Sequence, residues 1–189
     1  EGPEGAAREL ESRFGAIPAA ERGPAVKELF SGAELEAAFR SSFEAAGGAD
    51  RGGAPSDTEH SLGGVPYLLK DLFDVRGTVT GCSSAVAEEH GGPAAEDALV
   101  HQEASARGAV YVGRTHMNEF AYGLDGKNAH VGNCPHPRSP ERIAGGSSSG
   151  SAWAVAKDLV PIAFGTDTGV SPHGENAREF QQRPLAGEA

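Results

Sequence analysis

The sequence predicts an α/β fold in which a layered domain follows a set of N-terminal helices. The first observation is an Ala/Glu/Arg-rich opening stretch whose apolar residues have helical spacing. The second is a series of short apolar runs typical of buried strands, and the third is the helix-forming segments between these runs. Alternating strands and helices indicate a layered α/β domain, and 189 residues are enough for one ordinary domain.

The N-terminal stretch is predicted to be helical. Residues 4–46 place apolar side chains three to five positions apart, which favours two or three amphipathic helices. We expect breaks near Pro18 and Pro24, because proline interrupts a helix. The Gly- and Ala-rich stretch 47–55 has the composition of a linker. Residues 1–60 are therefore predicted to be a helical region and a linker.

The strands and helices of the layered domain are predicted from Leu62 onward. Three strands and two helices are expected: strands over 63–70, 109–113 and 159–164, and helices over 96–107 and 147–157. The first strand ends on Lys70. No helical or strand period is visible after Gly169, so residues 172–189 are predicted to be an unpatterned, disordered tail.

Composition excludes several classes of function. The 27 acidic side chains outnumber the 16 basic ones, and the net charge of −11 would repel nucleic acid. No apolar stretch approaches the roughly 18–20 residues that a membrane span needs, and no signal peptide opens the chain. We expect a soluble protein without membrane insertion; its compartment is undecided, with the cytoplasm as the expectation.

Cysteine and methionine usage adds two expectations. Cys82 and Cys134 lie far apart without a CxxC spacing, so neither a disulfide framework nor a zinc site is indicated, and both are expected to be structural thiols. The chain begins at Glu1 and its one methionine is Met117. We expect a fragment or a processed product.

Three motifs stand in an informative order: Lys70-Asp71 at a strand end, the glycine-serine loop 145–151, and the turn 165–171 after an apolar strand. Together with residues 113–121 they resemble the amidase signature family. That family shows GVPxxxKD, then GKTNMxEFAxG, then GGSSSGSAxAVAxGxVPxAxGTDTGGS. The resemblance covers roughly residues 62–171.

The resemblance implies an α/β/α layered fold with a mixed sheet, of which residues 61–171 would be one part. It also implies a Ser-cis-Ser-Lys triad, with Ser171 as nucleophile, Ser147 as bridging serine and Lys70 as base. The remaining residues implied by the resemblance are the oxyanion-hole positions Thr168, Gly169 and Val170, and the supporting residues Ser148 and Asp167.

The implied chemistry is hydrolysis of a small-molecule amide through an acyl-serine intermediate. A serine hydroxyl is a poor nucleophile until a neighbour takes its proton, and a lysine can do so only when it is neutral. Burial among Val65, Leu68 and Leu69 would lower the pKa of Lys70 enough for this role. No metal or cofactor is required. A free amidase and a transamidation subunit with a partner both stay open, as does the oligomeric state.

The sequence departs from the family pattern near the nucleophile. Val170 replaces a glycine, and Pro172-His173-Gly174 replaces the expected Ile-Arg-x-Pro-Ala. A β-branched residue would be strained there if the position needs a positive φ. We hypothesise a frame change or a retained intron near codon 170. The alternative function is therefore a catalytically inactive, amidase-like fragment that binds a partner or has no independent function.

Other interpretations have weaker support. A phosphate-binding loop over 145–151 lacks the Walker lysine, because Ser151 occupies that position. No lysine follows a serine at SxxK spacing. His173 lies close to Ser171 in sequence but belongs to the unpatterned tail. His130 and His136 have no carboxylate at ligand spacing, so a metal site is not predicted.

Overall fold

The computed structural model describes residues 2–45 and 62–167 of the chain. Its elements follow in this order: α1 Pro3–Ala16, α2 Ala19–Arg22, β1 Val26–Leu29, α3 Gly32–Ala45, β2 Pro66–Lys70, α4 Ala85–His90, α5 Leu99–Ala106, β3 Val110–Thr115, a 3₁₀ turn Glu119–Ala121, α6 Ser149–Ala156 and β4 Ile162–Phe164. The predicted linker over 47–55 and the predicted tail lie outside the described residues.

The strands form one four-stranded mixed sheet with the order β1-β3-β2-β4. Strand β2 runs parallel to both of its neighbours, β3 and β4, whereas β1 pairs antiparallel with β3. The α/β fold class and the mixed sheet predicted from the sequence are confirmed. Because β2, β3 and β4 are parallel, their carboxyl ends lie along the same edge of the sheet.

Both faces of the sheet are covered. Side chains alternate between the two faces of a strand, and β2 shows this directly. Leu68 joins the larger core with Phe39 of α3 and Trp153 of α6. Tyr67 and Leu69 point the other way, into a second core on the α5 side. Burial on both faces explains why the sequence of β2 is almost continuously apolar.

Strand β1 corrects the helical prediction for the N-terminal stretch. The helix breaks expected at Pro18 and Pro24 are confirmed, but Val26–Leu29 forms a strand where only helices were expected. Four residues are too few to display an alternating pattern. Pairing with β3 determines the conformation, and the Phe30 N–H extends the pairing by donating to Val112 O.

Helix α6 begins in tight contact with the backbone around it. The Gly150 N–H donates to His116 O at 3.2 Å, which fixes the first turn of α6 against the segment after β3. A Cβ at Gly150 would overlap the carbonyl oxygens of both Ala25 and His116. Because these are backbone atoms, they cannot move aside as a flexible side chain could. Glycine is therefore required at this position.

Replacing Gly150 with alanine should destabilise the fold by about 1–3 kcal/mol, the usual cost of overpacking. Urea denaturation gives the free energy of unfolding. The matched control is Gly15→Ala in α1, where a Cβ meets no atom within 4 Å and a helical alanine should stabilise by roughly 0.5–1 kcal/mol. Equal denaturation midpoints for the two variants would contradict this account of the packing.

Candidate active site

Three chain segments meet at the carboxyl edge of the sheet. Lys70 is the last residue of β2, and residues 165–167 follow the parallel strand β4. The loop that precedes α6 supplies Ser147 and Ser148. In open α/β sheets, sites form outside the carboxyl ends of the strands, so this edge is where a site is expected.

The Lys70 side chain is fully buried, and its amine contacts three hydroxyl groups. Its Nζ lies 2.7 Å from Ser147 Oγ, 3.0 Å from Ser148 Oγ and 2.7 Å from Thr166 Oγ1. The structure thus brings together Lys70, Ser147 and Ser148, which the sequence singled out. Thr166 was missed by sequence reasoning. Its position after a strand parallel to β2, inside the same motif, was the available signal.

The two serines bond differently to their surroundings. The Ser148 hydroxyl donates to Thr166 O at 3.2 Å and accepts from the Thr166 N–H at 3.1 Å. Because its proton is already committed, Ser148 can only accept a hydrogen bond from Lys70. Among the described residues, Ser147 Oγ makes no such bond to Thr166. Its proton can therefore be directed to the lone pair of a neutral Lys70 amine.

Asn118 holds the loop that presents Ser147. The Gly146–Ser147 peptide is cis, and the Asn118 N–H donates to Ser147 O at 3.2 Å. A Cβ at Gly146 would overlap Asn118 Oδ1. That same oxygen accepts from the Gly126 N–H at 3.1 Å, so Asn118 cannot easily turn away. The loop conformation is thus fixed from the segment that follows β3.

Burial lowers the pKa of Lys70 from 10.5 to about 8, and the negative charge of Asp167 opposes this shift. A desolvated ammonium is unfavourable, so the amine loses its proton more easily than a solvated lysine does. A negative charge on Cys82 would act in the same direction as Asp167. Lys70 consequently reaches a substantial neutral fraction only slightly above neutral pH.

The cysteines are not activated for nucleophilic chemistry. Cys82 and Cys134 are free, and burial raises the pKa of both thiols, that of Cys134 to about 12. A thiol attacks only as the thiolate. Burial also lowers the pKa of His116 to about 4, so this imidazole is neutral at physiological pH.

The remaining predicted site residues lie outside the described residues. These are the nucleophile position Ser171 and the oxyanion-hole positions Thr168, Gly169 and Val170. Their roles stay predictions from the motif.

None of the helices in residues 2–45 and 62–167 combines the length and the apolar character that crossing a membrane requires.

A buried lysine in hydrogen-bond contact with serine hydroxyls is an arrangement that can serve nucleophilic hydrolysis. The family model described as Amidase matches residues 29–172. This chain belongs to the amidase family.

Individual relatives agree with this assignment. Amidase 1 of Oryza sativa subsp. japonica is 44% identical over 117 residues, which are 62% of this chain and 27% of that protein. A glutamyl-tRNA(Gln) amidotransferase subunit from Legionella pneumophila is 43% identical over 110 residues, 58% of this chain and 22% of that protein. A crystal structure of an amidase aligns with a TM-score of 0.67 and 30% identity, covering 89% of this chain and 36% of the other. The chain thus spans about a quarter of the length of these two curated relatives.

The lowered pKa of Lys70 predicts a pH dependence of stability. Between about pH 8 and 10.5 the unfolded chain binds more protons at Lys70 than the folded chain, so stability should rise with pH in this window. The free energy of unfolding of the wild type, minus that of Lys70→Met, should increase by about 3 kcal/mol across it. Urea denaturation at several pH values provides the measurement.

Subtracting the variant removes contributions from tyrosines and thiols that titrate in the same range. Lys127→Met, which removes an exposed amine, is the matched control, and its difference from the wild type should stay flat. A flat difference for Lys70→Met as well would contradict a desolvated amine at this position.

Proposed function

We propose that this chain supplies the base, the relay serine and the nucleophile of an amide hydrolase. The reaction is hydrolysis of a carboxamide C–N bond through a Ser-cis-Ser-Lys triad and an acyl-serine intermediate. The observation that supports it most strongly is the 2.7 Å contact between Lys70 Nζ and Ser147 Oγ, inside a buried edge of the sheet. Membership of the amidase family supports the same reaction class.

The first half of the reaction uses the neutral Lys70 amine as a base. The amine takes the proton of Ser147, and Ser147 takes the proton of Ser171 as the Ser171 oxygen attacks the amide carbonyl carbon. General base catalysis of this kind is most effective when the pKa of the base lies near the working pH. A lysine pKa of about 8 meets that condition.

The second half returns the proton. Backbone N–H groups at Thr168, Gly169 and Val170 stabilise the tetrahedral oxyanion, each worth about 2.7–4 kcal/mol in comparable sites. As the intermediate collapses, the C–N bond breaks, and the proton passes from Lys70 through Ser147 to the leaving nitrogen. Ammonia or an amine departs. Water then attacks the acyl-serine by the same route, which frees the carboxylic acid and restores Ser171.

Ser148 and Asp167 have supporting roles in this proposal. The Ser148 hydroxyl accepts a hydrogen bond from the Lys70 amine at 3.0 Å. The same hydroxyl is hydrogen-bonded to both the N–H and the carbonyl oxygen of Thr166. Asp167 keeps the pKa of Lys70 from falling further, because its negative charge favours the ammonium. An amine with a much lower pKa would be a weaker base and a less effective proton acceptor.

The substrate we propose is a small-molecule carboxamide, since the relatives are named for amide chemistry. One of them is named as part of an amidotransferase. A partner subunit is therefore the alternative to a free amidase for the whole protein.

A fluorophosphonate probe tests the proposal, because it labels only an activated serine. We expect the label on Ser171, at a rate that rises with pH and levels off above about 8 as Lys70 becomes neutral. Lys70→Met should slow labelling by about 10²–10⁴-fold, the usual contribution of a general base. Mass spectrometry identifies the labelled residue, and the time course gives the rate.

Lys127→Met removes an exposed amine that pairs with Asp125 rather than with Lys70 or the serines, and it should label at the wild-type rate. Labelling of a serine other than Ser171, or a wild-type rate in Lys70→Met, would contradict the triad. A chain that folds but takes no label would favour the alternative, a catalytically inactive amidase-like fragment.

A further inference from the structure

A buried carboxylate lies directly beside the proposed base. The side chain of Asp71 is fully buried, and it follows Lys70 at the end of β2. Lys27 Nζ donates to both of its oxygens, at 3.0 and 3.1 Å. The Ser83 N–H donates to Oδ2 at 2.7 Å, and Arg114 Nη1 donates to Oδ1 at 3.3 Å. Four polar contacts therefore fix this one carboxylate.

The two cations reach Asp71 from neighbouring strands, Lys27 from β1 and Arg114 from β3. Other charged or titratable groups also contact these residues. Glu88 forms an ion pair with Lys27, and Glu28 forms one with Arg114. His116 is hydrogen-bonded to Ser83, and Asp167 and Cys82 interact electrostatically with Lys70. Arg114 additionally binds Thr78 Oγ1 at 2.6 Å and Phe73 O at 3.2 Å. Lys27 is the only one of the two cations that contacts both oxygens of Asp71.

We propose that Lys27 is a positioning residue for the Lys70 amine. By binding Asp71, it fixes the point at which β2 ends and thereby the direction in which the Lys70 side chain leaves the strand. The consequence for catalysis rests on the proposed function, whereas the effect on the Lys70 side chain does not.

The backbone after Lys70 connects the two side chains mechanically. The Asp71 N–H donates to Thr115 O at 3.0 Å, and the N–H groups of Leu72 and Phe73 both donate to Lys70 O. The chain thus turns immediately after Lys70, so a movement of Asp71 must move Lys70 as well. The three hydroxyl contacts of the amine, at 2.7–3.0 Å, leave little room for such a movement.

Removing Lys27 would leave Asp71 with too few partners for a buried charge. A buried carboxylate that loses a cation must turn toward water, admit water or take up a proton. The first two responses loosen the end of β2 and admit solvent near Lys70. Less desolvation would raise the pKa of the Lys70 amine, because burial is what lowers it.

Lys27 lies before residue 29, where the match to the family model begins. The motifs could not reveal this role, because the contact joins residues 44 positions apart and forms only when β1 pairs with β3.

The test is NMR of the full chain with ¹³C-labelled lysine. The chain contains four lysines, so the Cε signal of Lys70 can be assigned by its loss in Lys70→Met. In Lys27→Met, the titration midpoint of Lys70 should move up from about 8 toward 10.5. Lys27→Arg, which keeps the ion pair, should retain the wild-type midpoint, and so should the control Lys127→Met.

A folded Lys27→Met chain with the wild-type Lys70 midpoint would overturn the proposal. If Lys27→Met does not fold, Lys27→Gln is measured instead. Its uncharged amide cannot replace the ion pair with Asp71, so the Lys70 midpoint should again rise, and an unchanged midpoint in a folded Lys27→Gln chain is equally contradictory. Fluorophosphonate labelling of Ser171 should fall on the order of 10²-fold in Lys27→Met, as expected for a small misplacement of a catalytic group. Absence of label in every variant, including the wild type, would reject the proposed function, and the midpoint would still decide the role of Lys27.

Discussion

Burial of the Lys70 amine is the constraint on which the organisation of this sheet edge depends. An amine removed from water must find hydrogen-bond partners, and here all three are hydroxyls. Hydroxyls satisfy the amine without holding it protonated as strongly as a paired carboxylate would. The nearby Asp167 acts through its charge and limits the fall in pKa. The result is a lysine that can exchange a proton near neutral pH.

Two adjacent residues at the end of β2 have partners of different kinds. Lys70 lies among hydroxyls, whereas the carboxylate of Asp71 lies between the cations of Lys27 and Arg114. Tight packing at Gly150 fixes helix α6, and the backbone of Asn118 fixes the loop that precedes it. Because both faces of the sheet are buried, the strand ends have little freedom to shift. The amine and its serine partners are thereby held in register by segments far apart in sequence.

The sequence alone predicts those parts of the fold and the site that local patterns and motifs encode. The strand ending on Lys70 and the loop bearing Ser147 were predictable, because an apolar run and a glycine-serine loop are local signals. Strand β1 was not, since four residues cannot show a period and their conformation depends on pairing with β3. Thr166 and Lys27 were missed for a related reason: their contacts to Lys70 and Asp71 span 96 and 44 residues. The role of Ser171 still rests on its position in the motif.

We propose that Lys70, Ser147 and Ser171 form a single line of proton transfer. The most direct measurement is the distance between Ser147 Oγ and Ser171 Oγ in a crystal structure of the protein. A hydrogen-bonded separation of about 2.6–3.2 Å is what this account predicts, with Lys70 Nζ on the far side of Ser147. A Ser171 hydroxyl that faces away from Ser147, with no hydrogen-bonded route between them, would contradict it.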